Sequence, residues 1–127
     1  MIDALFSQTN YVATKKMLDA TVLRHEAISS NIANVEMPGY KRIDVNPNFS
    51  TELSHAMQSP DGAQIQGLQP SLTVDSSAVA TGRDGNTVQI EKEMIQLTQN
   101  MVAHSLETQL ITGQLLRLRL AITGRPS

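Results

Sequence analysis

An unbroken rhythm of apolar residues near the C-terminus constrains this chain more than any other feature. Ile90, Met94, Leu97, Met101, His104, Thr108, Ile111, Leu115, Leu118 and Ile122 follow one another at steps of 4, 3, 4 and 3, and eight of the ten are apolar. Such spacing keeps one side of a helix apolar over many turns. It predicts a helix over 86–123, about 37 residues or roughly 55 Å long. Asn86 is the expected N-cap, with Gln89 as its capping-box partner and Glu91 and Glu93 in the first turns, where the helix dipole favours acids. Gly124 is the expected C-terminal cap, and Pro126 forbids continuation.

A second helical pattern lies near the other end. No Gly or Pro interrupts 7–34, and Leu18, Val22, His25, Ile28, Ile32 and Val35 again step by three and four. The helix is expected over 7–35. Asn34 suits the left-handed conformation at a helix end, Pro38 pushes Met37 out of the helical region, and Pro38-Gly39 suits the centre of a type II turn. Tyr40 follows that turn, where it is expected to be exposed in a monomer and to anchor the turn against a helix or a neighbouring molecule.

These patterns predict a mainly α fold. Two long terminal helices form an antiparallel, coiled-coil-like hairpin whose seam is Leu18, Val22, Ile28 and Ile32 against Ile90, Met94, Leu97, Met101, Ile111, Leu115, Leu118 and Ile122. The chain then divides into 1–40, a connecting segment at 41–85, and 86–127, with the two terminal parts forming one structural unit. The middle is rich in Gly, Pro, Ser and Thr, and is expected to be loop-rich with at most short strands. Ser71-Leu72-Thr73-Val74 and Ala78-Val79-Ala80-Thr81 are the strand candidates, a hairpin too small to be stable alone.

The last helix also has a face that one partner helix cannot cover. Leu106, Leu110, Leu116 and Leu120 fall together on a helical wheel, with Gly113 among them and Arg117 interrupting. A fully buried Leu stabilises by about 1.5 to 3 kcal/mol, so this face is expected to meet another chain, the alternative being that the connecting loop folds back over it. Gly113 marks either a close helix approach or simple tolerance.

Several function classes lose support. With two Phe, two Tyr and no Trp, the chain has little bulk for a conventional enzyme core. A net charge of −2 and scattered Lys and Arg do not suit a nucleic-acid surface. Without cysteines there is no disulfide or thiolate chemistry. No apolar run nears the ~18 residues of a membrane span, and the N-terminus lacks the features of a secretory signal. His25 and His104, both at seam positions, are expected to be satisfied by nearby polar groups, since two histidines fall short of a three-ligand zinc site. Asp3, Asp19, Glu26, Glu91, Glu93 and Glu107 read as solvated helix faces. Ser29, Ser30, His104 and Asp84 supply the letters of a hydrolase triad without a nucleophile elbow. The expectation is no catalysis, no cofactor and no metal.

The run Arg24-His25-Glu26-Ala27-Ile28-Ser29-Ser30-Asn31-Ile32-Ala33-Asn34-Val35-Glu36-Met37-Pro38-Gly39-Tyr40-Lys41 resembles the N-terminal signature of bacterial flagellar rod and hook proteins, an Asn-x-Ala-Asn helix end followed by Thr-Pro-Gly-Tyr. Asn31, Ala33, Asn34, Pro38, Gly39 and Tyr40 match it, while Met37 stands where the family has Thr. The lead-in Asp84-Gly85-Asn86-Thr87-Val88, then Glu91-Lys92-Glu93-Met94, Asn100 and the ending Leu118-Arg119-Leu120-Ala121-Ile122 resemble the proximal rod members. His104 departs from an aromatic position common there. The resemblance implies a structural subunit that polymerises through its terminal helices into the hollow drive shaft of the flagellar basal body, in the periplasmic space. It implies export by the flagellar type III apparatus without a cleaved signal. The implied partners are copies of the chain, the rod proteins FlgC, FlgF and FlgG, the membrane-ring adaptor FliE and the ring protein FliF. Another short rod protein such as FlgC, or an unrelated coiled-coil binding module, is the alternative.

Overall fold

The computed structural model describes residues 2–59 and 62–124, with side chains from residue 8 onward. Helix α1 spans Ile2–Ala33 and helix α4 spans Ile90–Thr123, and between them lie strand β1 (Ile43–Val45), helix α2 (Asn48–Met57), the single turn α3 (Ala63–Gln66) and strand β2 (Leu72–Val74). The chain is mainly α, as its periodicity predicts. Asn31 meets Glu93, Arg24 meets Gln96 and Thr21 meets Glu107, so α1 and α4 run antiparallel.

The ends of the long helices obey local chemistry. Gly124 takes the left-handed conformation (φ 65°) and its N–H closes on the Leu120 carbonyl, the expected cap. Pro126 lies outside the described residues, as does the side chain of Asp3. At Pro38-Gly39 the Tyr40 N–H bonds to the Met37 carbonyl at 3.2 Å with Gly39 at φ 74°, as a type II turn requires. Two expectations fail. Every positive φ among the described residues belongs to glycine, so Asn34 is not left-handed; its amide instead donates to the Ser30 carbonyl at 2.8 Å. Helix α4 starts at Ile90 with Gln89 before it in extended conformation, because the Asn86 side chain is engaged elsewhere and cannot cap the helix.

The connecting segment contributes more than loops. Phe49, Leu53 and Ala56 of α2 sit on one helical face and bury, with Ile65 of α3, against Ala13 of α1. Val12, Ala20, Val45 and Leu68 border this cluster. Spacing of four and three between Phe49, Leu53 and Ala56 is the helical signal that the surrounding polar residues obscured. Gly62 lies against α1, where a Cβ would come 2.9 Å from the Thr9 hydroxyl oxygen, so the approach depends on glycine. The strand pairing also differs from expectation. Leu72–Val74 pairs antiparallel with Ile43–Val45, in register Ile43↔Val74, while 78–81 forms no strand. Three-residue strands hold because both are tied to larger elements, β1 to α1 through Asn31.

Ile65 is fully buried at the centre of this cluster. Ile65→Ala should lower unfolding stability by about 2–5 kcal/mol in urea titration. A loss below about 1 kcal/mol would mean that the connection does not fold cooperatively with α1.

Candidate functional site

The two segments that resemble family signatures meet in space. After α1 the chain turns at Met37–Tyr40, and the lead-in to α4 lies beside it: the Gly39 N–H donates to the Asp84 carbonyl at 2.7 Å, the Thr87 N–H to the Tyr40 carbonyl at 3.0 Å, and Lys41 Nζ to the Gly85 carbonyl at 3.0 Å. Asn86, 5% exposed, sits at the centre. Its amide nitrogen reaches the carbonyls of Asn34, Val35 and Met37 at 2.9, 3.0 and 2.7 Å, and its carbonyl oxygen accepts the Val88 N–H at 2.8 Å. Oxygens just past the end of α1, which the helix cannot satisfy, are thus capped by the segment that begins the return. Ala33 is exposed on α1, while Val88 is buried behind Asn86. Tyr40 is half-buried rather than exposed: its hydroxyl donates to Asn31 Oδ1 at 3.2 Å and lies 3.1 Å from the Ser30 hydroxyl, so it anchors the turn on α1.

Arg42 is the hub that sequence reasoning missed. Its side chain is almost wholly enclosed, with Nε bonded to Glu93 and Nη2 to Gln96, and with Nη1 at 2.9 Å from Asp44 and 2.8 Å from Asp75. Its backbone N–H donates to the Thr87 hydroxyl at 2.7 Å and its carbonyl accepts from Asp75 at 2.8 Å. One residue therefore joins β1, the segment after β2, the lead-in and α4. Burial opposes its charge, and the hydrogen bonds and charges of Glu93 and Asp44 outweigh that effect, holding the guanidinium pKa above its ordinary value. Hydrogen bonding from Ser77 and pairing with Arg42 overcome burial at Asp75 and lower its pKa. Arg24 of α1 joins the network, 3.2 Å from Asp44. Asn31, fully buried, mimics a strand partner: its amide donates to the Ile43 carbonyl at 2.8 Å and its oxygen accepts the Ile43 N–H at 3.0 Å.

The seam that follows is polar, which corrects the expected packing. Buried positions of α4 are Glu93, Asn100 and Glu107, one heptad apart. Asn100 donates to the Thr21 carbonyl at 2.8 Å, and the Thr21 hydroxyl lies 2.9 Å from both the Leu18 carbonyl and Glu107 Oε2. The buried stripe is rotated from the expected seam by roughly 60°. Of its members Ile28 is buried, Leu18, Ile32, Ile90, Leu97, Ile111 and Leu118 are half-buried, and Val22, Met94, Met101, Leu115 and Ile122 are exposed. Cross-helix hydrogen bonds go with this rotation, because turning α4 away would take Glu93 from the enclosed Arg42 and break the bonds of Asn100 and Glu107 to Thr21. His25 and His104 are likewise exposed, and both line one groove of about 490 Å³ with Val22 and Met101. Asp19, Glu26 and Glu91 lie at the surface, whereas Glu93 and Glu107 do not.

Apolar side chains accumulate outside instead. Leu106, Leu110, Leu116 and Leu120 are 56, 55, 52 and 42% exposed, alongside Met94, Ile95, Met101, Val102 and Leu115. From Met94 to Leu116 the sequence holds no Lys, Arg or Asp and one Glu, the buried Glu107. Hydroxyls of Thr98, Thr108 and Thr112 bond back to the carbonyls of Met94, His104 and Thr108, so they present little unsatisfied polarity. No helix among the described residues is long and apolar enough to cross a membrane. The arrangement suits a helix enclosed by other protein.

No family model matches the chain. It is similar to the flagellar basal body rod protein FlgB of Borrelia hermsii, 31% identical over 111 residues that cover 73% of this chain and 80% of that protein. The FlgB of Aeromonas hydrophila is 30% identical over 112 residues, covering 80% and 83%, and that of Aquifex aeolicus 28% identical over 116 residues, covering 87% and 90%.

Two outcomes follow from the joint and the seam. Asn86→Asp sets a carboxylate against three carbonyl oxygens and should cost more stability in urea unfolding than Asn86→Ala, itself expected to cost about 1–3 kcal/mol. Burial raises the pKa of Glu107 despite its bond to Thr21 and the charge of His104, so the folded chain holds that proton more tightly than the unfolded chain. Stability from this group is complete below the ordinary carboxyl range and is lost as pH rises through the folded value. Glu107→Gln should therefore melt higher than the parent at pH 7, with the difference gone near about pH 4; an equal difference at both pH values would contradict the assignment.

Proposed function

The chain belongs to the FlgB family of flagellar basal body rod proteins, and from that membership we propose that it is a structural subunit of the rod that packs with its neighbours through α4. Membership sets aside the FlgC alternative and the unrelated coiled-coil module. The observation that carries the proposal is the inversion of α4, whose polar heptad faces its own chain while a charge-free band of Met, Ile, Val and Leu faces outward. A monomer gains nothing from that distribution. At about 25 cal/mol per Å² of apolar area removed from water, enclosing such a band drives association.

In this reading the subunit lies in the proximal part of the rod and polymerises through its terminal helices into the hollow shaft that transmits torque. Copies of itself and FlgC, FlgF and FlgG enclose the helices, and FliE and FliF meet the shaft at the membrane ring. The chain reaches the periplasmic space through the flagellar type III export apparatus. Its work is mechanical and rests on packing, with no reaction assigned to any residue. The joint of Asn31–Tyr40 with Asp84–Val88 fixes where the middle segment leaves the helix pair, so that 41–85 lies beside the pair as a separate contact surface.

Leu110→Lys and Leu116→Lys test the proposal, since both positions are half-exposed and make little contribution within one chain. Monomer unfolding should change by no more than about 0.5 kcal/mol. In bacteria deleted for their own FlgB-family protein, both variants should fail to enter basal bodies and to restore swimming where the parent chain does so. Normal assembly by both would overturn the outward face as the site of packing.

A further inference from the structure

Beside the helix pair runs a groove of about 810 Å³ between α1, α2 and α4. Met17, Phe49, Leu53 and Met57 give it an apolar wall, Arg24 and Asp44 line it as well, and α4 contributes Ala103 and Glu107. Glu107 is 7% exposed and has one hydrogen-bond partner, the neutral hydroxyl of Thr21, and no Lys or Arg among the described residues forms an ion pair with it. A buried carboxylate supported by one hydroxyl is an incomplete arrangement.

The complement lies on the outside of the same helix. Leu106, Leu110, Gly113, Arg117 and Leu120 step by 4, 3, 4 and 3, forming one stripe within roughly 80° of arc. Gly113 costs about 1 kcal/mol against Ala in a helix interior, and nothing in the chain lies within 4 Å of where its Cβ would stand. It leaves a flat place between Leu110 and Arg117 where another backbone can approach closely. Arg117, which interrupts the leucines, is the first Lys or Arg after Lys92. Of the two carboxylates that line the groove, Asp44 is already paired with Arg24 and Arg42, so a stripe of leucines with one cation matches the apolar wall and the remaining carboxylate, Glu107.

We propose that the groove between α1, α2 and α4 receives the Leu106–Leu120 stripe of a second copy, with its Arg117 guanidinium paired to Glu107. The contact is heterologous, groove to stripe, and leaves one copy with a free stripe and the other with a free groove, so it propagates along a line rather than closing as a dimer. Pairing supplies the charge-assisted bonds that Glu107 lacks in the isolated chain, and it keeps the carboxylate ionised. This refines the reading of the chain as a rod subunit, because it names which surfaces meet.

Absence of native cysteine makes the contact directly measurable. Full-length chains carrying Ser54→Cys in the groove wall and Gln109→Cys beside the stripe are mixed and mildly oxidised, and disulfide-linked dimers are separated by mass. The two variants in equal amounts should give a crossed dimer well above about twice either self-dimer, the ratio that random pairing would produce. Adding Arg117→Glu to the stripe chain, or Glu107→Gln to the groove chain, should lower its yield at least about tenfold, with circular dichroism showing intact helices. A dominant Gln109→Cys self-dimer, meaning stripe against stripe, would overturn the proposal, as would a crossed yield indifferent to Arg117→Glu. Basal-body incorporation separates the two levels: if Arg117→Glu enters rods normally while Leu110→Lys does not, the rod-subunit reading stands and the groove contact falls.

Discussion

A guanidinium enclosed by carboxylates at the meeting of four chain segments holds this molecule together. Arg42 takes its place because β1 runs beside the lead-in to α4, and the lead-in keeps its path because Arg42 binds it through Thr87 and grips α4 through Glu93 and Gln96. Each segment alone is too short or too polar to hold a fixed conformation. Removing one partner of a buried pair typically costs about 3–5 kcal/mol, whereas exchanging both for apolar groups is often neutral. What the network gives this chain is accordingly a fixed geometry, which two three-residue strands and a loop could not supply. Asn31 and Asn86 extend the same principle with uncharged amides, each replacing a missing backbone partner with a side chain.

The helix pair divides its labour in an unusual way. Apolar burial in most helical hairpins holds the pair together and polar residues keep it in solution. Here the polar heptad Glu93, Asn100 and Glu107 sets the register against Thr21, Arg42 and Asn31, while the apolar atoms lie outside. A slip by one turn would leave each of those polar groups without its partner, so register is specified tightly even though few large side chains are buried between the helices. Much of the apolar area of α4 is thereby left outside the helix pair.

The sequence discloses the long helices, the Gly124 cap and the turn at Pro38-Gly39 because each rests on local chemistry within a few residues. It hides the rotation of α4, because residues spaced by three and four look alike whether they face the partner helix or a neighbouring chain. The sign of the polar heptad was visible in Glu93, Asn100 and Glu107, yet only their partners about 50 and more residues away make those positions an interior. Arg42 was illegible for the same reason: nothing near it in the chain announces three carboxylates, two of which lie 33 and 51 residues further on. Asn86 suits a helix cap in composition, and it does cap a helix, but the one that ended 52 residues before it.

That distance has a kinetic consequence. A helix turn forms within a few residues, whereas the bond from Asn86 to Asn34 closes a loop of 52 residues and must first overcome the entropy of bringing those ends together. Closing over so long a stretch of chain slows folding relative to a hairpin held by local contacts alone. The angle between the two arms depends on Asn86 and Arg42, whose bonds to Asn34 and Glu93 span 52 and 51 residues of chain.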